Sequence, residues 1–227
     1  MLNIVAVGAH PDDVELGMGG TILTLTEGSH HVTIVDLTDG EPTPVGDSEI
    51  RKKESVKSSR ILGIEERITL DFPNRYLQDD IDVRRELAEI IRSLHPDILF
   101  APYWIDAHPD HIATSKICDA ARFYGKLTKT EMKGKPFYTN KIYYYIATHL
   151  KQSFKPSFVV DISKVADMKM EVIKSYKSQF GPTPENHQSI KWLIQSNRYW
   201  GHIIGTQFAE PFISREEIGI RTIEALL

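Results

Sequence analysis

The amino-acid sequence predicts a single α/β domain over residues 1–227, a Rossmann-like, doubly wound and mostly parallel sheet with helices on both faces. Three observations predict it. Short apolar runs recur along the first hundred residues, each followed by a stretch long enough for a helix, the alternation that gives parallel strands with right-handed crossovers. The runs are continuous rather than alternating in polarity, as strands covered on both faces require. A chain of 227 residues, 41% hydrophobic and 26% charged, suffices for one sizeable core, and no repeat, low-complexity tract or linker marks a second domain.

Asn3 to Ala9 is the first apolar run and reads as strand one. A charged segment follows; Gly19 and Gly20 relax the backbone, and Thr21 to Glu27 continues as a helix that Gly28 stops. His31 to Leu37 is strand two, and the loop after it, Asp39 to Gly46, is rich in turn formers and long enough to overhang a site. Ser48 to Leu62 reads as a surface helix with Ile50, Val56, Ile61 and Leu62 turned inward and Gly63 at its end. Strand three is Arg67 to Phe72. Asp82 to Leu94 is an amphipathic helix with Leu87, Ile90, Ile91 and Leu94 on one face. Asp97 to Ala101 is strand four, leading through a second charged segment into the helix Ile112 to Phe123. After a polar connection from Lys126 to Lys141, Ile142 to Ile146 and Phe158 to Ile162 read as strands. Ser163 caps a helix from Lys164 to Tyr176, and Ser189 to Ile204 is a final aromatic-rich helix after the Gly181–Pro184 break.

The net charge of −4 carries no basic footprint for nucleic acid or an anionic membrane. Met1 to Ala9 lacks a basic leader region and its apolar run is too short to span a bilayer, so a cytoplasmic protein is expected. The single Cys118 is expected as a small core residue.

Two segments carry chemistry. His10-Pro11-Asp12-Asp13 and His108-Pro109-Asp110-His111 each follow the carboxyl end of an apolar strand. In open parallel sheets ligands bind beyond those ends, where the strand order reverses. With strands one and four flanking that point, in the order 3-2-1-4-5, the segments face each other across one crevice. Two histidines and a carboxylate around zinc, with a further position open, form a recurrent catalytic arrangement, whereas closed structural zinc sites are cysteine-rich. His10, Asp13 and one histidine of the second segment, for which His111 is chosen, supply the ligands. Asp12 stays beside the metal as general base. His108, if protonated, stabilises an oxyanion or protonates a leaving amine, and Asp110 holds a histidine in orientation.

These residues, with Gly17, Gly19 and Gly20, resemble the signature motifs of the PIG-L/LmbE-like family of zinc-dependent deacetylases. The resemblance extends to Arg51 and Glu54, to Tyr176–Phe180 and to Ala209-Glu210-Pro211-Phe212. It implies a Rossmann-like fold and removal of the acetyl group from a small-molecule N-acetylglucosamine conjugate. It also implies one Zn2+ per chain on His10, Asp13 and His111, Asp12 as base, His108 at the oxyanion and Arg51 at the substrate. The shortness of the chain and its tail look most like the deacetylases of N-acetylglucosaminyl malate in bacillithiol synthesis, and related chains resemble deacetylases of chitin-derived disaccharides or inositol conjugates. Such chains are reported as trimer-based hexamers, so a homo-oligomer is expected, which the aromatic C-terminal region suits. His149, past a strand end, is a candidate substrate contact, and Tyr103 and Trp104 are either a stacking wall or core packing.

A metal-dependent phosphoesterase would use similar residues but a second metal. A dinucleotide-binding oxidoreductase is disfavoured, because the glycines lack the G-x-G-x-x-G spacing and Asp12 and Asp13 would repel a pyrophosphate. A non-catalytic sugar-binding protein would have no need of Asp12.

Overall fold

The computed structural model describes residues 1–147, 149–181 and 183–220, the side chains of Pro184 and His187 excepted. Its sheet has the order β3-β2-β1-β4-β5-β7-β6. β1 (Asn3–Gly8), β2 (His31–Asp36), β3 (Glu66–Thr69), β4 (Ile98–Pro102) and β5 (Lys141–Tyr145) are parallel. β7 (Ala209–Ile213) runs antiparallel to both β5 and β6 (Phe158–Asp161). The expected order around strands one and four holds, and the reversal between β1 and β4 opens the crevice where both charged segments emerge.

β1 shows why the run is continuously apolar. Successive side chains of a strand point to opposite faces. Val5 and Val7 enter one core with Leu87 and Ile91 of α3 (Ile81–Leu94) and Ile117 and Cys118 of α4 (Pro109–Gly125). Ile4 and Ala6 enter the other with Val14, Met18 and Ile22 of α1 (Asp13–Glu27) and Val172 of α5 (Ala166–Lys174). Cys118 is fully buried, and burial raises its thiol well above the usual range. Tyr103 and Trp104 belong to the first core, where their rings meet, so packing accounts for them.

Several expectations are corrected. α1 starts at Asp13, not after the glycines, and is broken at Met18 (φ −146°) rather than continuous. The break frees a carbonyl and amides that tertiary partners take up: Lys169 Nζ donates to Leu16 O at 3.0 Å, and Gly20 N and Thr21 N donate to the Glu210 carboxylate at 2.9 and 2.7 Å. Gly17 is required by close approach, since a Cβ there would lie 2.2 Å from Cδ2 of the buried Tyr145. α2 (Ser48–Leu62) is capped by Asp47 and ended by Gly63 at φ 70°, as its sequence indicates. Its buried face is polar, however: Arg51, Glu54, Ser55 and Ser58 are buried with Leu62, whereas Ile50 and Val56 are 42% and 43% exposed.

Ser163 does not cap α5. Its hydroxyl accepts from Gln207 N and Phe208 N and donates to Asp161, and one turn of 3-10 helix precedes α5. Tyr176 lies beyond α5, before the short α6 (Lys177–Phe180). β7 is a strand that propensity argues against, with Glu210 and Pro211 at its centre. It is tolerated because β5 pairs only with Phe212 and Ile213, so Pro211 falls where that ladder has stopped, and Glu210 pairs with Lys169 at 2.6 Å. The last helix, α7 (Pro184–Ile203), begins five residues before its expected start, at a Thr183 cap that accepts from Asn186 N.

Candidate functional site

The end of β1 delivers His10 to Asp13 into the crevice through a turn in which Asp12 takes φ 127°, a strained conformation for a residue other than glycine. Arg51, on the buried face of α2, holds that turn: its Nη1 donates to Pro11 O at 2.7 Å and to Asp12 Oδ2 at 2.9 Å, and its Nε donates to Glu41 at 3.2 Å. The end of β4 delivers the second segment. There His108 is the N-cap of α4, its Nδ1 accepting from Asp110 N at 3.2 Å.

The two segments meet around the Asp13 carboxylate. His10 Nδ1 lies 3.3 Å from Asp13 Oδ2, and His111 Nε2 lies 3.1 Å from Asp13 Oδ1. The outer nitrogen of each ring is held by a second carboxylate, His10 Nε2 by Asp110 at 3.2 Å and His111 Nδ1 by Asp106 at 2.8 Å. If those outer nitrogens carry the protons, the inner lone pairs face an anionic carboxylate. The centre then has to contain a positive charge.

His111 Nε2 bears this out: it is buried and has no hydrogen-bond partner despite the nearby Asp13 oxygen. Ligand atoms of His10, Asp13 and His111 lie within 4.8 Å of one another, so the donor set fits a divalent cation. Protons can serve instead. Burial opposes the charge on His10 and His111, but Asp13, with Asp110 for His10 and Asp106 for His111, outweighs it and raises them to about 9 and about 10.

The neighbouring groups titrate differently. Burial raises Asp12 to about 7 against the pull of Arg51, with Asp13 adding repulsion. Burial, reinforced by His111 and His10, lowers His108 to about 4, so it is neutral near pH 7 in the free protein. Because its Nδ1 accepts from the backbone, a neutral His108 carries its proton on Nε2. Asp106 is held well below the usual carboxylate range. Its burial is outweighed by hydrogen bonds from His111 and His149 and by the backbone N–H of His108.

Asp110 is fully buried, its Oδ2 lying 3.2 Å from His10 Nε2 and accepting from Arg75 N at 2.6 Å, while its Oδ1 has no hydrogen-bond partner. Arg51 lines the crevice but is 3% exposed and already engaged by Asp12 and Glu41. His149 does reach the site: its exposed ring lies 5.4 Å from that of His111, and its Nδ1 is 3.6 Å from Asp106. The reading from sequence missed Asp106. Its position two residues before His108 and five before His111 is the available signal, since a buried ligand histidine calls for a carboxylate on its far nitrogen. It also missed the buried cluster behind Asp12 and Asp13, where Glu15 accepts from Arg67, Ser58 and Tyr176, each at 2.6 Å. Arg67 in turn grips Asp36, so the acid ending β2 has no freedom to meet a ribose.

His10, Asp12, Asp13, His108, His111 and His149 all border one cleft of about 1150 Å3, walled on its far side by α7.

Residues 5–122 match the PIG-L family, described as GlcNAc-PI de-N-acetylase. The chain is 30% identical over 225 residues to the diacetylchitobiose deacetylase of Thermococcus kodakarensis, across 91% of this chain and 80% of that protein. It is 27% identical over 191 residues to a probable N-acetyl-alpha-D-glucosaminyl L-malate deacetylase 2 of Bacillus anthracis, covering 78% of this chain and 81% of that one. A solved structure of a conserved protein from Thermus thermophilus superposes with a TM-score of 0.90 at 37% identity, over 98% of this chain and 99% of the other. The chain belongs to the PIG-L family.

Proposed function

We propose that this protein is a metal-dependent hydrolase that removes the N-acetyl group from an N-acetylglucosamine conjugate. The observation that carries the reading is the convergence of His10, Asp13 and His111 on one point, with the Asp12 carboxyl beside it in an open cleft. His10, Asp13 and His111 would hold one ion, zinc by donor type, and that ion would supply Lewis acidity at the acetamide.

The chain's own residues do the rest. Asp12, held beside that point by Arg51, would take a proton from the attacking water. As water adds to the acetamide carbon, His108 Nε2–H donates to the carbonyl oxygen while negative charge builds there. The C–N bond then breaks, the proton on Asp12 passes to the departing nitrogen, and acetate and a free amine leave. Asp110 and Asp106 fix the rings of His10 and His111, Arg51 fixes Asp12, and His149 stands at the mouth to meet substrate.

For the group carried by the sugar, the malate conjugate of bacillithiol synthesis is the expectation from sequence. The name of the Bacillus anthracis relative supports it and that of the Thermococcus kodakarensis relative supports a second N-acetylglucosamine. A cytoplasmic homo-oligomer acting on a small molecule fits this reading, and among the described residues no helix is long and apolar enough to cross a membrane.

The test is acetate release by metal-quantified protein from N-acetylglucosaminyl malate, diacetylchitobiose and N-acetylglucosamine, with Asp12→Asn as control. Turnover of one conjugate with one ion per chain, reduced at least about a hundredfold in Asp12→Asn with the ion retained, supports the assignment. No acetate from any of the three overturns it, and two ions per chain with phosphate-ester cleavage replaces it with the phosphoesterase reading.

A further inference from the structure

His111 has a carboxylate on each side of its ring. Its Nε2 lies 3.1 Å from Asp13 Oδ1, and its Nδ1 lies 2.8 Å from Asp106 Oδ2. Each carboxylate in turn meets a second histidine: His10 Nδ1 is 3.3 Å from Asp13 Oδ2, and His149 Nδ1 is 3.6 Å from Asp106 Oδ1. The row His10, Asp13, His111, Asp106, His149 therefore repeats one donor set, two histidines and a carboxylate, on either side of a shared imidazole. The inner set is the one proposed to hold the catalytic ion. The outer set, Asp106, His111 and His149, also brings its ligand atoms within 4.8 Å of one another.

The outer separations suit an ion. Two ligand atoms, each about 2.0–2.1 Å from a tetrahedral ion, stand about 3.3 Å apart. The inner distances of 3.1 and 3.3 Å lie close to that value, and the outer ones of 2.8 and 3.6 Å bracket it. Asp106 is also fixed in advance, since its Oδ1 accepts from the backbone N–H of His108 at 3.1 Å and of His149 at 3.0 Å. The two sets differ in access. His10, Asp13 and His111 are buried, whereas the His149 side chain is 61% exposed at the border of the cleft.

Imidazole chemistry makes the two positions exclusive. A neutral ring has one lone pair and one N–H, and the hydrogen bond made by one nitrogen decides which nitrogen receives the ion. An ion on His111 Nε2 leaves the proton on Nδ1, where Asp106 accepts it. An ion on Nδ1 leaves the proton on Nε2, where Asp13 accepts it. Both acceptors are in place. In the second arrangement the inner set loses one of its three ligands.

We propose that Asp106, His149 and His111 Nδ1 form a second divalent-cation site, alternative to the inner one, which holds an ion at the mouth of the cleft and leaves the centre beside Asp12 inactive. Imidazole donors favour zinc, cobalt(II), nickel(II) or copper(II) over magnesium and calcium. The proposal rests on the reading of His10, Asp13 and His111 as metal ligands within the hydrolase, and the experiment separates the two.

Metal-free, full-length protein is titrated with Co2+, followed by calorimetry and visible absorption, in wild type, His10→Ala and Asp13→Asn, and in each of these two variants combined with His149→Ala. Circular dichroism checks that each folds, and either inner-site variant suffices if the other does not. Wild type should bind one ion per chain. His10→Ala and Asp13→Asn should each still bind one ion, and adding His149→Ala should weaken that binding at least about tenfold. With Zn2+, nitrogen-15 spectra of histidine-labelled Asp13→Asn should show His111 metallated on Nδ1. Inner-site variants that bind no ion, or bind it equally well without His149, overturn the outer site, and two ions held together by wild type overturn the exclusion and the proposal with it. Acetate release by the wild-type protein is read separately. Acetate released without a His149-dependent ion leaves the hydrolase reading standing and removes the outer site; a His149-dependent ion without acetate from any substrate upholds the site and overturns the hydrolase reading.

Discussion

At the scale of single residues, the site is a set of lone pairs aimed at one point. His10 Nδ1, His111 Nε2 and the Asp13 carboxylate converge because Asp110 and Asp106 occupy the opposite ring nitrogens. In the metal-free protein the convergence is neutralised by protons, with His10 raised to about 9 and His111 to about 10. Two consequences have definite signs. These groups have folded-state values above the ordinary 6.5, so their contribution to metal-free stability is complete below about pH 6.5 and is lost as pH rises through 9 to 10. Denaturant midpoints of chelator-treated protein should fall across that window. Metal competes with the same protons, so binding near pH 7 should release up to about two protons per ion, measurable by calorimetry in buffers of different ionisation enthalpy. Release of none would mean that the ion sits elsewhere.

Asp106 offers the sharpest single substitution. Asp106→Asn removes the carboxylate from His111 Nδ1 and should weaken metal binding by about 10- to 100-fold, with the fold retained by circular dichroism. Unchanged affinity by chelator competition would leave Asp106 a structural residue only. The two His and Asp segments were legible in the sequence because their residue types are costly to bury without a partner. The protonation of His108 was not legible, since it depends on the burial of its ring and on His111 and His10 being brought beside it.

At the scale of elements, α1 shows how tertiary contacts override local preference. Alanine in place of a helix glycine ordinarily stabilises by about 1 kcal/mol. At Gly17 the new Cβ would meet the Tyr145 ring at 2.2 Å, and that ring is pinned by its hydroxyl donating to Val7 O at 2.8 Å. Gly17→Ala should therefore destabilise by about 1–3 kcal/mol in denaturant titration, and a gain in stability would show that the ring can yield.

α2 carries the complementary lesson. Its start and stop were legible in Asp47 and Gly63, but its orientation was not, because the face that packs inward presents Arg51, Glu54 and Ser58 to the polar partners Asp12, Ser178 and Glu15. A hydrophobic pattern cannot reveal a face whose burial is satisfied by hydrogen bonds. β7 escaped for a similar reason, since its central Glu210 is held by Lys169 and its Pro211, paired with β6, lies beyond the end of the β5 ladder.

At the scale of the whole molecule, the Lys169–Glu210 pair joins α5 and β7 to the broken middle of α1, and Lys169 also donates to Asn197 Oδ1 on α7. Both partners are buried, so Lys169→Met would leave a carboxylate uncompensated and should cost about 3–5 kcal/mol of unfolding free energy. Adding Glu210→Gln should recover part of that loss, and a double variant no better than the single one would exclude charge as the cause.

The parallel α/β sheet, the place of strands one and four at the strand-order reversal, and the two His and Asp segments that meet there all follow from the order of residues alone. Continuous apolar runs have one favourable arrangement, and paired imidazoles and carboxylates have few reasons to exist. Folding in three dimensions was needed to settle which carboxylate holds which ring, that Arg51 serves Asp12, and that α7 turns its aromatic side to the cleft. Those facts depend on distances between segments far apart in the chain, which composition and periodicity do not encode.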